Sequence, residues 1–431
     1  MPGADEPAHR DHEALESDVT LTSRTRLASE RPLRSPVFRW FFAGWSVTMA
    51  GSSMAPVALA FGVLEVTGSA TWLSLVLTAS MVPMVATMIL GGGIADRYRR
   101  DTVLRLASLG SGISQTGVAI ILLTHQHPAL LLPLSAVNGI FQALTTPTMR
   151  GIVPQLASGR GIQQANSALA SARNITRLLG PSAAGLLTVF FGGGWAIAAD
   201  AASFLLAAAC FAKMSLPDLP PRTKGGPTML NELRQGWQYF SSRPWIWSVT
   251  LAFAVFNAVN MGVWNILGPV IAADTIGAAG WGLVLSARGA GALLATMVMV
   301  KVTVRQPMTP ALSLMTLAGV PLILLGTGAD VLWLASAAFA AGVAAEFFTV
   351  VWSTVWHIYI PEHLNSRVAA YDEFGSFVSI PVGQMSVPIL AAAFGTAAVA
   401  VTGGILTVIA MLLPLLLPAL RRIELTTSKA D

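Results

Sequence analysis

Charge is the scarce commodity in this chain of 431 residues: only 11% are Asp, Glu, Lys or Arg. A soluble domain carries roughly 25%, and with less than half of that a polar shell around a protein of this size cannot be built. Hydrophobic residues make up 54% before the 39 glycines are added, so the apolar surplus must face lipid. A single cysteine, Cys210, excludes a disulfide scaffold and any cysteine-ligated zinc or iron–sulfur centre. Net charge is +5, too small for the length to indicate nucleic-acid binding. No phosphate-binding loop is present: Gly91–Gly93 lacks the following lysine and Ser/Thr. His9/His12 and His125/His127 come without acids in a metal-site arrangement. No cofactor and no metal are expected, and no nucleophile–base pair points to an enzyme.

What the chain does have is a series of apolar runs, each long enough for the roughly 20 residues that cross a bilayer. They fall near 37–65, 72–93, 102–124, 129–148, 164–190, 195–213, 245–271, 280–302, 308–327, 331–358, 367–393 and 397–420. Segment length makes them helices, so the expected fold class is an all-α membrane protein of twelve transmembrane helices in two six-helix bundles. The turns at 67–71, 125–128, 191–194, 272–279, 328–330 and 394–396 contain no lysine or arginine. Basic residues collect in the alternate turns and the tails, which by the positive-inside rule puts both termini in the cytoplasm of a cell-membrane protein. Trp72, Trp195, Trp281 and Trp333 begin spans on the other side, where indole rings favour the interface.

The expected organisation is a disordered cytoplasmic tail at 1–36 and an N-terminal bundle at 37–213. A cytoplasmic linker at 214–244 follows, with an amphipathic helix over 230–240, then a C-terminal bundle at 245–422 and a tail at 423–431. The first tail carries six acids before Val19 and then four arginines to Arg34. Six spans on either side of a linker is the layout of a two-bundle transporter with its ligand site between the halves.

The second cytoplasmic turn reads Gly91-Gly92-Gly93-Ile94-Ala95-Asp96-Arg97-Tyr98-Arg99-Arg100. A glycine four residues before an aspartate, then arginine, an aromatic and further arginines, resembles the signature loop of the major facilitator superfamily. Arg99 stands where that family usually has glycine. Span five contains Asn174-Ile175-Thr176-Arg177-Leu178-Leu179-Gly180-Pro181-Ser182-Ala183-Ala184-Gly185, and its Gly-Pro with following small residues resembles the motif of drug–proton exchangers. Thr176 replaces that motif's earlier glycine. Pro361-Glu362-His363-Leu364-Asn365-Ser366-Arg367 is similar to the secretion-effector branch, which includes siderophore exporters. The resemblance implies that Gly92, Asp96, Arg97 and Arg100 form a gating latch against span eleven, the alternative being a topological anchor. It also implies packing or kinking at Gly180, Pro181 and Gly185. Span four reads Ser135-Ala136-Val137-Asn138-Gly139, without the arginine that many drug–proton exchangers carry there.

Ionisable groups at membrane depth are costly and mark function. Glu346 is the deepest acid, on one helical face with Thr349, Ser353 and His357. It is the proton-coupling candidate, or else one half of a structural ion pair. Arg177, one turn from Asn174, is the cationic candidate for the cavity. Asn257, Asn260 and Trp264 are spaced to share a face of span seven and suit a mixed polar and aromatic ligand. Asp200 and Arg288 read as outer-gate or fold-stabilising charges, and Asp372 and Glu373 suit the start of a helix. The function expected is a proton-coupled exporter, expected as a monomer in the lipid bilayer, that exchanges protons for a small amphipathic compound such as a drug, siderophore or secondary metabolite. An importer or facilitator of the same fold is the alternative. A polytopic enzyme would need an acid and histidine cluster that the sequence lacks.

Overall fold

The computed structural model describes residues 32–95, 99–157, 160–214, 216, 229–299 and 305–424. Six helices form the first half: α1 (Pro36–Thr67), α2 (Ala70–Ala95), α3 (Arg100–Leu123), α4 (Leu131–Leu156), α5 (Arg160–Phe191) and α6 (Gly193–Ala212). A short helix, α7 (Met229–Ser241), precedes the second half. That half comprises α8 (Pro244–Asp274), α9 (Gly277–Met299), α10 (Met308–Gly326), α11 (Val331–Tyr359), α12 (Glu362–Phe377, resuming as Ile380–Phe394) and α13 (Thr396–Leu416). The twelve long helices lie where the apolar runs predict them.

Eleven helices among the described residues are long and apolar enough to cross a membrane. The remaining long helix, α5, has 32 residues but a polar first half containing Gln163, Gln164, Asn166, Ser167, Arg173 and Asn174. It packs as a span nonetheless, between α1 and α9. Large apolar side chains such as Phe190, Leu332, Ile389 and Phe394 are exposed on the outside, as a lipid-facing surface requires.

The two halves repeat one packing scheme. In the first, α2 packs on α4 and α3 on α6; in the second, α9 packs on α11 and α10 on α13. Close approach is bought with glycine: a Cβ on Gly139 would strike the Ser80 carbonyl, and one on Gly291 the Phe339 carbonyl.

Successive helices alternate in direction, so both described chain ends lie on one face, here called the terminal face. The six turns on the opposite face each close with a residue at positive φ: Gly68, His125, Gly192, Gly277, Gly328 and Gly395. Left-handed closure lets a chain reverse within a few residues, which is why those turns are short. On the terminal face Glu424 accepts hydrogen bonds from Gln306 at 3.0 Å and Arg305 at 3.3 Å. These two partners, Gln306 first, hold its carboxyl below the usual carboxylate range.

Among the described residues, the substantial contacts between bundles lie in the half nearer the opposite face. There α5 packs along α9, α12 along α2, and α1 against α8. Val57, Phe61 and Ala184 of the first bundle share one buried cluster with Trp264, Leu267, Trp281 and Val387 of the second. Toward the terminal face the bundles' cores are separate, one around Phe38, Phe41 and Phe211, the other around Trp245, Phe348 and Trp356. The molecule is therefore shut on the opposite face and open on the terminal face.

Candidate functional site

Between the closed seam and the open face, α8, α11 and α12 enclose a cavity of about 670 Å³. Its walls include Phe253 and Asn257 from α8, Phe348, Thr349, Trp352, Ser353 and His357 from α11, and Asp372 and Glu373 from α12. The polar stripe expected on span ten thus brings Thr349, Ser353 and His357 to one surface, all three exposed. Their local bonds run back along the helix, from Thr349 to the Ala345 carbonyl at 2.8 Å and between His357 Nδ1 and the Ser353 carbonyl at 2.6 Å.

Glu346, one turn deeper, sits off this wall and toward α9. Its Oε1 lies 3.3 Å from the Thr296 hydroxyl, and its charge acts on Arg177 across the bundle seam. Arg177 also feels Arg173, one turn earlier on α5, and its backbone carbonyl abuts Gly289. Arg288, the next residue on α9, lies 5.7 Å from the Trp264 ring centroid as a cation–π pair. Asn174 is half-buried on the same helix as Arg177.

The face proposed for span seven is split. Asn257 is buried, donates to the Ser376 carbonyl at 3.0 Å and lines the cavity. Asn260 starts a π-helical stretch, Asn260–Leu267, whose wider turn breaks the 3.6-residue register. Trp264 consequently does not share the cavity wall: it is 2% exposed, with its ring 4.7 Å from that of Trp281 in the closed seam.

The span-five motif lies on that same seam. A Cβ on Gly180 would meet Ser53 of α1; Pro181 packs its carbonyl on Gly282, and Gly185 faces the Ala278 backbone. Ser182 donates across the seam to Ser286 at 2.8 Å. Of the signature loop, Gly92 lies in the last turn of α2 and Arg100 begins α3, while Asp96 and Arg97 lie outside the described residues. Arg99, the departure from the family pattern, pairs with Asp101 at 2.9 Å.

Two features escaped the sequence reasoning. Asp101 is 6% exposed and accepts from the Leu216 backbone N–H at 3.3 Å, tying the start of α3 to the exit of α6. Asp372 accepts a 2.6 Å bond from Thr250 inside the cavity rather than merely opening a helix. An aromatic ladder at 348, 352 and 356 was a readable signal of this wall. Asp200, by contrast, proves internal to the first bundle: it is fully buried and accepts from Gln115 at 2.9 Å.

Comparison with known proteins places this architecture. The Major Facilitator Superfamily profile matches residues 40–383. The chain belongs to the major facilitator superfamily. Among curated relatives, it is 26% identical over 175 residues to the Staphyloferrin A transporter of Staphylococcus aureus, covering 39% of this chain and 43% of that protein. It is 24% identical over 217 residues to the Enterobactin exporter EntS of Escherichia coli, covering 50% of this chain and 52% of that one. The matched stretches span about half the length of these relatives. Among solved structures, the nucleoside transporter NupG superposes with a TM-score of 0.71 at 12% identity, covering 88% of this chain and 98% of that one. A POT family transporter in complex with 5-aminolevulinic acid gives 0.68 at 13% identity, covering 88% and 95%. These two likenesses concern the fold. This member of the superfamily is a multi-pass membrane protein.

Proposed function

We propose that this transporter is a proton-coupled exporter of a small amphipathic organic compound, with both termini cytoplasmic and its terminal face therefore inward-open. The observation that carries the reading is the cavity of about 670 Å³, within the size range of small-molecule sites. It joins an aromatic wall to amide, hydroxyl and carboxylate groups at membrane depth. Sequence similarity to a siderophore exporter supports the outward direction, and a siderophore, drug or secondary metabolite fits the stated chemistry. The two bundles would rock about the seam of α5 with α9 and α2 with α12, opening the opposite face as the terminal face closes.

Glu346 is the proposed proton carrier. Protonating it removes the charge that faces Arg177, so proton occupancy changes the electrostatics of the seam that must open. Arg177, Asn174, Asn257, Asn260, Thr349 and Ser353 are the proposed cavity residues. The signature-loop residues Gly92, Asp96, Arg97 and Arg100 are the proposed latch of the inward-closed state. Purified protein in vesicles, given an imposed proton gradient and a panel of amphipathic compounds, tests this. Gradient-driven flux that becomes gradient-independent in Glu346→Gln is expected, and flux only into the cell-equivalent compartment would favour an importer instead.

A further inference from the structure

The cavity wall combines two features that single out one charge type of ligand. The first is a run of aromatic rings: Phe253 stacks on Phe348 with centroids 4.5 Å apart, Phe348 on Trp352 at 5.9 Å, and Trp352 meets Trp356 at 5.6 Å. The second is the sign of its charges. Asp372 and Glu373 line the cavity, and among the described residues that line it there is no lysine or arginine. Trp352 joins the two features, since its ring belongs to the stack and it lines the same cavity as Asp372. Thr250 donates to the Asp372 carboxylate at 2.6 Å, so the group is held in place at the end of an aromatic surface.

A flat apolar body stacks on such a wall, and a fixed positive charge at its end is attracted both by the ring faces and by the carboxylate. An anion of the same shape would meet the Asp372 carboxylate and negative ring faces. We infer that this cavity binds an organic monocation with a flat aromatic body, and that Asp372 holds its charge. The inference rests on the reading of the cavity as the substrate path.

Protons and such a ligand exclude one another at Asp372, because the neutral carboxyl no longer attracts the cation. Among the described residues, the other titratable groups lining this cavity are Glu373 on α12 and His357 on α11, while Arg367, earlier on α12, bonds Gln235 of α7; α8 presents Asn257 to the cavity and Thr250 to Asp372, both uncharged. Mutual exclusion has the sign that exchange requires, since a carrier loaded with one partner must release the other. Asp372 thus supplies a second proton-binding carboxylate beside Glu346.

The test is calorimetric titration of the purified full chain with three shape-matched probes: (2-naphthylmethyl)trimethylammonium, 2-naphthylmethanol and 2-naphthoate. The quaternary cation is expected to bind at least about tenfold more tightly than the alcohol, with no binding of 2-naphthoate. Because that cation does not titrate, its affinity should fall as pH is lowered. Asp372→Asn should lose about tenfold in cation affinity and its pH dependence, while keeping the alcohol's affinity, which a misfolded variant would not. Asp372→Glu should restore part of the loss. Preferred binding of 2-naphthoate, or cation affinity unchanged in Asp372→Asn, would overturn the inference. In vesicles, export of a neutral or anionic compound without cation binding would sink the inference and leave the exporter; cation binding without flux would do the reverse.

Discussion

Single residues differ in how far their neighbours could be foreseen. Glu346 stands out from the sequence because an acid fifteen residues into an apolar helix has no cheap explanation. Arg177 was a candidate too, and the fold places it across one seam from Glu346, whose side-chain hydrogen bond is to Thr296. Asp101 is the contrary case. Its acceptor role depends on Leu216, 115 positions away, and no local pattern announces that contact. Asp101→Ala leaves a buried backbone N–H without its acceptor and removes the Arg99 pair, so it should cost about 1–3 kcal/mol. Thermal melting in detergent measures this, and an unchanged midpoint would refute it. Asn257→Ala removes the 3.0 Å donor to the Ser376 carbonyl and leaves the Ser379 hydroxyl at 3.3 Å, so it should cost about 0.5–1.5 kcal/mol, and a titration with the naphthyl probes would show whether the cavity is reshaped as well.

Helices impose constraints that no single position carries. The spacing of Asn257, Asn260 and Trp264 assumes one helical repeat throughout, yet Asn260–Leu267 is π-helical. Asn257, just before that stretch, faces the cavity, while Trp264 within it lies in the closed seam. Sequence periodicity cannot detect the change, because a π turn is stabilised by the neighbours it fits, here α9 and α12. The seam of α5 with α9 is made by backbones in contact, and Gly289 is one of its tight points, beside Arg177. A side chain there must push the Arg177 carbonyl away. Gly289→Leu should destabilise the closed seam by about 1–3 kcal/mol, the usual cost of overpacking, and shift the population toward opening on the opposite face. Thiol labelling of a cysteine introduced at Ser182 should accelerate accordingly; protection equal to that of the parent would count against the seam as the moving joint. Among the described residues, the short helix α7 is fastened to the second bundle, through Tyr239 donating to the Tyr359 carbonyl at 2.8 Å and Arg367 donating to Gln235 at 2.7 Å. It therefore rides with the cavity wall instead of bridging the two halves.

At the scale of the whole molecule, the captured state is a rigid-body arrangement of two similar bundles. Ser74 of α2 donates to the Gln384 carbonyl of α12 at 2.5 Å, on the side that is shut. In a Cys210→Ser background, cysteines at Ser74 and Gln384 joined by a short bifunctional thiol reagent should hold the opposite face closed. Transport should then stop and recover when a cleavable linker is cut, while a cysteine at Ser353 stays reactive from the terminal face. Continued flux in the linked protein would mean that the faces do not alternate.

The sequence by itself determined the number of helices, their order and the pairing of short turns with the opposite face. Each follows from local chemistry: a run of about 20 apolar residues must span, and basic side chains stay out of the six short turns. It also exposed the stripe of Thr349, Ser353 and His357, since three turns of one regular helix keep a common face. Only the tertiary structure decided which face is open, where the π turn redirects α8, and that Asp372 joins Trp352 in a cavity wall. Those outcomes depend on contacts between residues far apart in the chain, whose energies arise only once both bundles have packed.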